Sequence, residues 1–251
     1  MYISYMKIIS VNIELDKHYD TVLPFLKKEN PDVICLQELI EADFEVFKKE
    51  LGLDGVYKPT DYIYSPVYDG PKNVRHGQGI FAKKILSSTY EYYVGSETNI
   101  NRSFEEYFSG EEGRENHVLL SAQVADSSGK EFTIATTHFT LTHHGEATPH
   151  QLENLEKLFG ALEKLPEFAL VGDFNAPRGN KTFDMLAQKY KDNIPAHYTT
   201  SIDMSMHRNK HNKFENMVDG LFTTPGYIAK NVRLQDRVSD HMAIVADIEK
   251  V

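Results

Sequence analysis

Asp173 and Asn175 stand two residues apart in the stretch Leu170-Val171-Gly172-Asp173-Phe174-Asn175-Ala176-Pro177-Arg178-Gly179. A carboxylate and a carboxamide leaving the same strand end suit phosphate chemistry. The acid holds a metal or takes a proton from water, and the amide donates hydrogen bonds to an oxygen gaining negative charge. Read alone, Asp-x-Asn also starts turns and caps helices, and Glu38 alone reads as a helix start. The weight comes from company elsewhere. Asn12 and Glu14 end a first apolar run, Glu38 ends a second and His138 a third, while Asp219 and Asp240-His241 come near the C-terminus. The polar candidates therefore follow apolar strand runs in chain order.

These residues need strands to carry them. Residues 168–171 read as a short buried strand, with Gly172 turning the backbone tightly so that Asp173 and Asn175 project from its end. Residues 6–12 are rich in β-branched side chains and read as a strand, and Asp16 is placed to cap a helix bearing Tyr19, Val22, Leu23 and Leu26, which Pro24 delays or kinks. Asn30-Pro31 closes that helix. Residues 32–37 form a second strand with Glu38 at its end, followed by a helix with Phe44, Phe47 and Leu51 on one face that stops at Gly52. Residues 57–68 alternate as a half-exposed strand, and 79–82 with 85–94 read as a strand pair. Asp126-Ser127-Ser128-Gly129 joins 118–124 to 131–137 as a hairpin that runs into His138. A helix over 148–165, a short helix over 182–190 and strands over 217–222, 228–234 and 242–248 complete the pattern, with 192–215 mostly irregular. Strand and helix alternating in this way imply a mixed sheet covered by helices.

The chain has 251 residues with no internal repeat, low-complexity segment or dividing linker, so the expectation is one domain over 1–251. Its formal net charge is -10, so a polyanionic partner must be drawn by a local patch or a bound cation. The single cysteine, Cys35, excludes an intrachain disulfide and a cysteine-rich zinc site and reads as a core thiol. No stretch approaches the ~18 apolar residues of a membrane span, and the N-terminus lacks the basic and apolar regions of a leader. A cytoplasmic location is the expectation.

Taken together, Leu36-Gln37-Glu38, Thr137-His138, Gly172-Asp173-Phe174-Asn175, Val218-Asp219 and Ser239-Asp240-His241 resemble the endonuclease/exonuclease/phosphatase superfamily from Asn12 to Asp247. This is the fold of abasic-site endonucleases, pancreatic-type DNases, neutral sphingomyelinases and inositol-polyphosphate 5-phosphatases. The resemblance implies an α+β four-layer α/β/β/α sandwich, two mixed β-sheets packed face to face, with a divalent-cation site where strand ends meet. It implies Glu38 as the principal metal-binding carboxylate, with Asn12, Glu14 and Asp240 beside it, and Mg²⁺ or Mn²⁺ as the ion such hard oxygen ligands favour. It implies Asp173 as the acid that orients the attacking water, Asn175 as an amide on the phosphate, His241 facing the phosphorus with Asp219 holding its ring, and His138 as a second histidine on the phosphate.

Two departures accompany it. Pancreatic-type enzymes pair the histidine at the position of His138 with a glutamate, and near Gly77-Gln78-Gly79-Ile80 there is no such acid. Thr140-Leu141-Thr142-His143-His144-Gly145 and Gln151 resemble the tyrosyl-DNA phosphodiesterase pattern only loosely.

Other residues carry two readings. Arg114, in the polar loop of residues 95–116, approaches the substrate phosphate or pairs with Glu111 or Glu112. The basic run of residues 207–213 rides a phosphate backbone or is a solvated loop, and Tyr62, Tyr64 and Tyr68 pack a rim or stack bases. His138, His143 and His144 form no zinc cluster on this reading, since no cysteine supports it.

The sequence therefore predicts a soluble magnesium-dependent phosphoester hydrolase, with a nucleic-acid phosphodiester as substrate and no obligate protein partner. The rivals are a lipid or inositol phosphate hydrolase of the same fold and a noncatalytic binding module on this scaffold.

Overall fold

A computed structural model describes residues 5–64, 73–99, 115–207 and 215–251. Short apolar and β-branched runs make the strands, whose successive side chains point to opposite faces, and 3.6-residue spacing makes the helices. In order these are β1 (Met6–Asn12), α1 (Tyr19–Glu29), β2 (Val33–Ile40), α2 (Phe44–Leu51), β3 (Asp54–Tyr64), β4 (Asn73–Ala82), β5 (Ile85–Val94), β6 (His117–Ala125), β7 (Glu131–His138), α3 (Pro149–Leu162), β8 (Ala169–Asp173), α4 (Lys181–Lys189), β9 (Lys191–Asp192), β10 (Asp219–Thr223), β11 (Tyr227–Gln235) and β12 (Ala243–Lys250). They build two six-stranded sheets, ordered β11-β12-β1-β2-β4-β3 and β5-β6-β7-β8-β10-β9. Each is mixed: β1 and β2 are parallel in the first, β7 and β8 in the second, and the other pairs are antiparallel.

Alternation along each strand then sorts side chains into layers. Ile8, Val33 and Cys35 of the first sheet meet Ile134, Ala169, Val171 and Leu221 of the second in a dry core between the sheets. The opposite faces are covered by helices, with Val22, Leu26 and Phe47 over Ile9, Val11, Ile34 and Leu36. Leu155, Leu158, Leu162, Phe183 and Leu186 cover Ala135, Leu170 and Phe222. Helix, sheet, sheet, helix is the predicted four-layer sandwich. Each buried aliphatic or aromatic side chain contributes about 1.5–3 kcal/mol to it.

Towards the C-terminal ends of the four parallel strands the inward positions turn polar. Ile8 is followed two residues on by Ser10 and then Asn12, Cys35 by Gln37, Ile134 by Thr136 and His138, and Val171 by Asp173. Gln37 Nε2 donates to Ser10 Oγ at 3.2 Å and to Thr136 Oγ1 at 3.0 Å, tying the sheets together under a polar floor. Because parallel neighbours end on the same side, four polar side chains arrive at one end of the sandwich.

The structure corrects several expectations. Residues 79–82 and 85–94 do not pair with each other: β4 lies between β2 and β3, and β5 pairs with β6 in the other sheet. Lys83-Lys84 carries the chain from one sheet to the other, a crossover that local alternation does not reveal. Gly172 sits inside β8 and makes no turn. A Cβ there would stand 2.0 Å from the Thr137 carbonyl oxygen, so glycine lets β7 and β8 approach. Glu38 lies within β2, which continues to Ile40 past an irregularity in its pairing with β4. Asp16 does not cap α1, whose N-cap is His18 with no side-chain cap, and Pro24 lies inside that helix. Asp219, expected inside a strand over 217–222, opens β10, and Asp240 and His241 stand just before β12 as the strand expected over 242–248 requires; both strands are antiparallel to their neighbours β8 and β1. Running the opposite way, those strands begin at the end where the parallel strands finish. Short β9 stands where the helix expected over 182–190 gives way to the segment 192–215, expected to be mostly irregular. Arg114, Tyr68 and positions 208–213 of the basic run lie outside the described residues.

Candidate active site

Asn12, at the end of β1, bridges the two sheets. Its Nδ2 donates to Glu38 Oε1 at 3.0 Å and to Asp173 Oδ2 at 3.2 Å, and its Oδ1 accepts the Glu14 backbone N–H at 3.1 Å. One amide thus links a carboxylate of the first sheet to a carboxylate of the second. Glu38 reaches this place from a non-glycine left-handed backbone, φ 58°, where the β2–β4 register shifts. A bulge with left-handed backbone re-aims a side chain that plain alternation would send elsewhere, at a cost of order 1 kcal/mol or more.

Asp173 is 1% exposed and stands at the centre of the second group. Its Oδ1 accepts the Asn175 backbone N–H at 2.9 Å, which turns the chain after β8 and leaves Oδ2 facing inward. Beside Oδ2, in addition to Asn12, stand His138 Nε2 at 3.5 Å and His241 Nε2 at 3.9 Å. The acid neighbour of His138 is therefore Asp173, one strand away, and not a residue of β4. Asn175, also left-handed at φ 50°, donates one amide hydrogen to the Phe139 carbonyl at 2.9 Å, and its second has no acceptor among the described residues.

Asp219 faces Asp173 directly across the β8–β10 pair. His241 Nδ1 lies 2.8 Å from Asp219 Oδ2, and the backbone N–H groups of Val218 and Asp219 both donate to Ser201 Oγ at 3.1 Å. Burial works against charging His241, but the carboxylates of Asp219 and Asp173 overcome it and hold the imidazole well above its ordinary range. A buried imidazolium thus presents Nε2–H toward Asp173, its ring fixed from behind by Asp219.

The remaining acids form a neighbouring group. Oxygen atoms of Glu14 and Asp240 and a ring nitrogen of His18 all lie within 4.8 Å of one another, as do ligand atoms of Asp173, Asp219 and His241. Glu38 joins neither group at that distance and touches the first through Asn12 and Glu14. Asp240 is 5% exposed, and Ser239 Oγ donates to its Oδ1 at 3.2 Å, while Oδ2 has no hydrogen-bond or ion-pair partner among the described residues. Burial and the carboxylates of Glu14 and Glu38 push its carboxyl up to about 6, against the pull of His241 and His18. A cation beside this carboxyl favours its anionic form. The donor set, the carboxylates of Glu14 and Asp240 with the ring nitrogen of His18 beside them, fits a divalent ion.

Two histidines were missed by sequence reasoning. His18, four residues after Glu14, places Nε2 3.1 Å from Glu14 Oε2, and its only signal in the sequence is that helical spacing. His76, on β4 opposite Ile40, is 7% exposed, with both ring nitrogens buried and without a hydrogen-bond partner among the described residues. Burial keeps its ring below the ordinary imidazole range, with His138 adding to this and Glu38 and Asp61 opposing it. No pattern of residues around Gly77-Gln78-Gly79 marks it out.

Outside this ring a support holds His138. Its carbonyl lies 2.8 Å from His117 Nδ1, and Glu115 Oε1 lies 2.6 Å from His150 Nε2 and accepts from Asn154 Nδ2 at 2.7 Å, joining the entry of β6 to α3.

The endonuclease/exonuclease/phosphatase family model matches residues 9–241. None of the curated proteins matches the chain at a significant level. Among solved structures, an endonuclease/exonuclease/phosphatase from Bacteroides vulgatus is 18% identical with a TM-score of 0.72, covering 99% of this chain and 100% of that one. The human nocturnin catalytic domain with bound sulfate is 17% identical with a TM-score of 0.64, covering 98% and 94%. A mannosyl-6-phosphatase from Bacteroides thetaiotaomicron is 14% identical with a TM-score of 0.65, covering 97% and 99%. At these identities the likeness is one of fold.

Proposed function

The chain belongs to the endonuclease/exonuclease/phosphatase family, and from that premise we propose that it is a divalent-metal-dependent phosphoester hydrolase, a single catalytic domain over residues 1–251 that cleaves nucleic-acid phosphodiesters. The observation that carries the reading is the Asn12 amide. By bonding Glu38 and Asp173 at once it holds the carboxylate proposed to bind metal beside the carboxylate proposed to orient water. A family whose name joins nucleases with phosphatases supports phosphoester cleavage. The choice of nucleic acid rests on the nuclease half of that name. Among the described residues no helix is long and apolar enough to cross a membrane. The buried Cys35 thiol accords with the cytoplasmic location proposed with this reading.

Glu38, Asn12, Asp240 and Glu14 are the residues that would hold Mg²⁺ or Mn²⁺. When bound, the ion supplies Lewis-acid stabilisation of charge on the phosphoryl oxygens. The protein's own groups do the rest. Asp173 Oδ2, buried among the Asn12, His138 and His241 nitrogens, orients the attacking water and accepts its proton. His241, held by Asp219 and carrying a positive charge, presents Nε2–H to a phosphoryl oxygen as negative charge develops there. The second amide hydrogen of Asn175 and the ring of His138 complete the donors around the phosphate. Arg114 is proposed as a further phosphate contact on the strength of its charge and its place just ahead of Glu115.

The test is hydrolysis of bis-p-nitrophenyl phosphate with Mg²⁺. EDTA should abolish it and added metal restore it, and His241→Ala should lower the rate by at least ~10²-fold. Activity untouched by chelation would remove the metal from the reading. No activity with any divalent ion would leave a noncatalytic module. Substrate class is then read from single-stranded, abasic and 5′-tyrosyl DNA set against inositol phosphates, sphingomyelin and hexose 6-phosphates. Preference for any of the last three overturns the nucleic-acid assignment alone.

A further inference from the structure

We propose that His18 supplies an imidazole nitrogen to the cation held between Glu14 and Asp240, making this a mixed nitrogen and oxygen site that selects Mn²⁺ and other transition ions over Mg²⁺. The inference rests on the metal-dependent reading above and adds to it the kind of metal.

Three observations converge. The donor atoms of Glu14, His18 and Asp240 already lie within 4.8 Å of one another, close enough for one ion to touch all three. Asp240 Oδ2, on a side chain 95% removed from solvent, has neither hydrogen bond nor ion pair among the described residues. The charges leave room for a dication. Glu14, Glu38 and Asp240 bring three carboxylates, and beside them stand the Lys17 ammonium on Glu14 Oε1 and the His241 imidazolium next to Asp240. The carboxylates outnumber these cations, which favours a bound cation.

His18 is held where a ligand must be. It closes the start of α1, its carbonyl accepts both the backbone N–H and the Oγ1–H of Thr21, and its side chain is 12% exposed. Nε2 now faces Glu14 Oε2 at 3.1 Å, so its lone pair becomes available once the ring carries its hydrogen on Nδ1. Carboxylates alone favour Mg²⁺, Ca²⁺ and Mn²⁺, whereas an imidazole donor favours later first-row ions.

The test uses the full chain freed of metal by chelation, with Mn²⁺ alone or Mg²⁺ alone as probe. Free Mn²⁺ is counted by its solution EPR signal, and Mg²⁺ by competition. Bound Mn²⁺ should show nitrogen modulation in pulsed EPR. In His18→Gln that modulation should disappear and the preference for Mn²⁺ over Mg²⁺ should fall by about tenfold or more. His18→Leu should repeat both changes, and Asp240→Asn should weaken both ions together. Nitrogen modulation and ion preference unchanged in the two His18 variants would overturn the role of His18 while leaving metal-dependent hydrolysis standing. Absence of binding by either ion to the wild-type protein would overturn the proposal and the metal-dependent function with it.

Discussion

Replacing Asp173 by Asn tests the site with almost no change of shape. The amide oxygen retains the place of Oδ1, which accepts the Asn175 N–H at 2.9 Å, so the turn after β8 survives. The amide nitrogen then takes the place of Oδ2, and a donor faces the donors of Asn12 at 3.2 Å, His138 at 3.5 Å and His241 at 3.9 Å. The water-orienting acceptor is lost. A general-base role is worth about 10²–10⁴ in rate, or about 3–5 kcal/mol of barrier. Stability moves far less, because the terms oppose. Attraction to the His241 imidazolium, about 4 kcal/mol at that distance in an effective dielectric near 20, disappears. Repulsion from Asp219, directly opposite across the β-pair, and the desolvation of a carboxylate 1% exposed disappear with it. The expected net change is within ~1 kcal/mol, or about 4 °C in Tm for a chain of this size. Steady-state kinetics on bis-p-nitrophenyl phosphate and a thermal melt of the same preparation decide the matter. The reasoning fails if Asp173→Asn keeps more than about a tenth of wild-type kcat. It fails equally if the melt collapses, since activity would then be lost with the fold.

Other consequences can be measured alongside. Gly172→Ala places a Cβ 2.0 Å from the Thr137 carbonyl at φ 153°, so urea unfolding should show a loss of about 3 kcal/mol or more, and a loss under 1 kcal/mol would refute the close approach of β7 and β8. Asp219→Asn should slow hydrolysis, yet combining it with His241→Ala should cost no more than His241→Ala alone, because Asp219 acts through that ring; additive losses would separate them. Burial raises the Glu115 carboxyl, but His117 and His150 outweigh it and bring it down to about 2 from an ordinary 4.5. With the folded value below the unfolded one, its stabilisation is full above pH ~4.5 and lost as pH falls toward 2. The Tm gap between wild type and Glu115→Gln should therefore be wide at pH ~5 and close near pH ~2, and a gap that does not change with pH counts against the pairing.

Much of the scaffold was legible because it depends on local periodicity. Short apolar and β-branched runs and turn residues located β1, β6, β7, β8 and β12, and helical spacing located α2, α3 and α4 to within a few residues. What misled was anything set by a distant partner. β4 and β5 follow each other closely but belong to different sheets, since which strand completes a ladder depends on the whole packing. Gly172 has the letter of a turn, yet its use is close contact with Thr137 on the neighbouring strand.

The same division runs through the site. Asn12, Glu38, His138, Asp173, Asp219, Asp240 and His241 were marked by the sequence, through residue type and position at strand ends, as candidates for phosphate chemistry. Their mutual arrangement was not: that one amide spans Glu38 and Asp173, that His138 takes Asp173 as its acid neighbour, and that His18 joins Glu14 and Asp240. Residue type and spacing determine what a side chain is able to do and which face of its own strand it takes. Distances between residues far apart in the chain are decided only when two sheets pack, because strand order, bulges and inter-sheet register are cooperative properties of the assembled core.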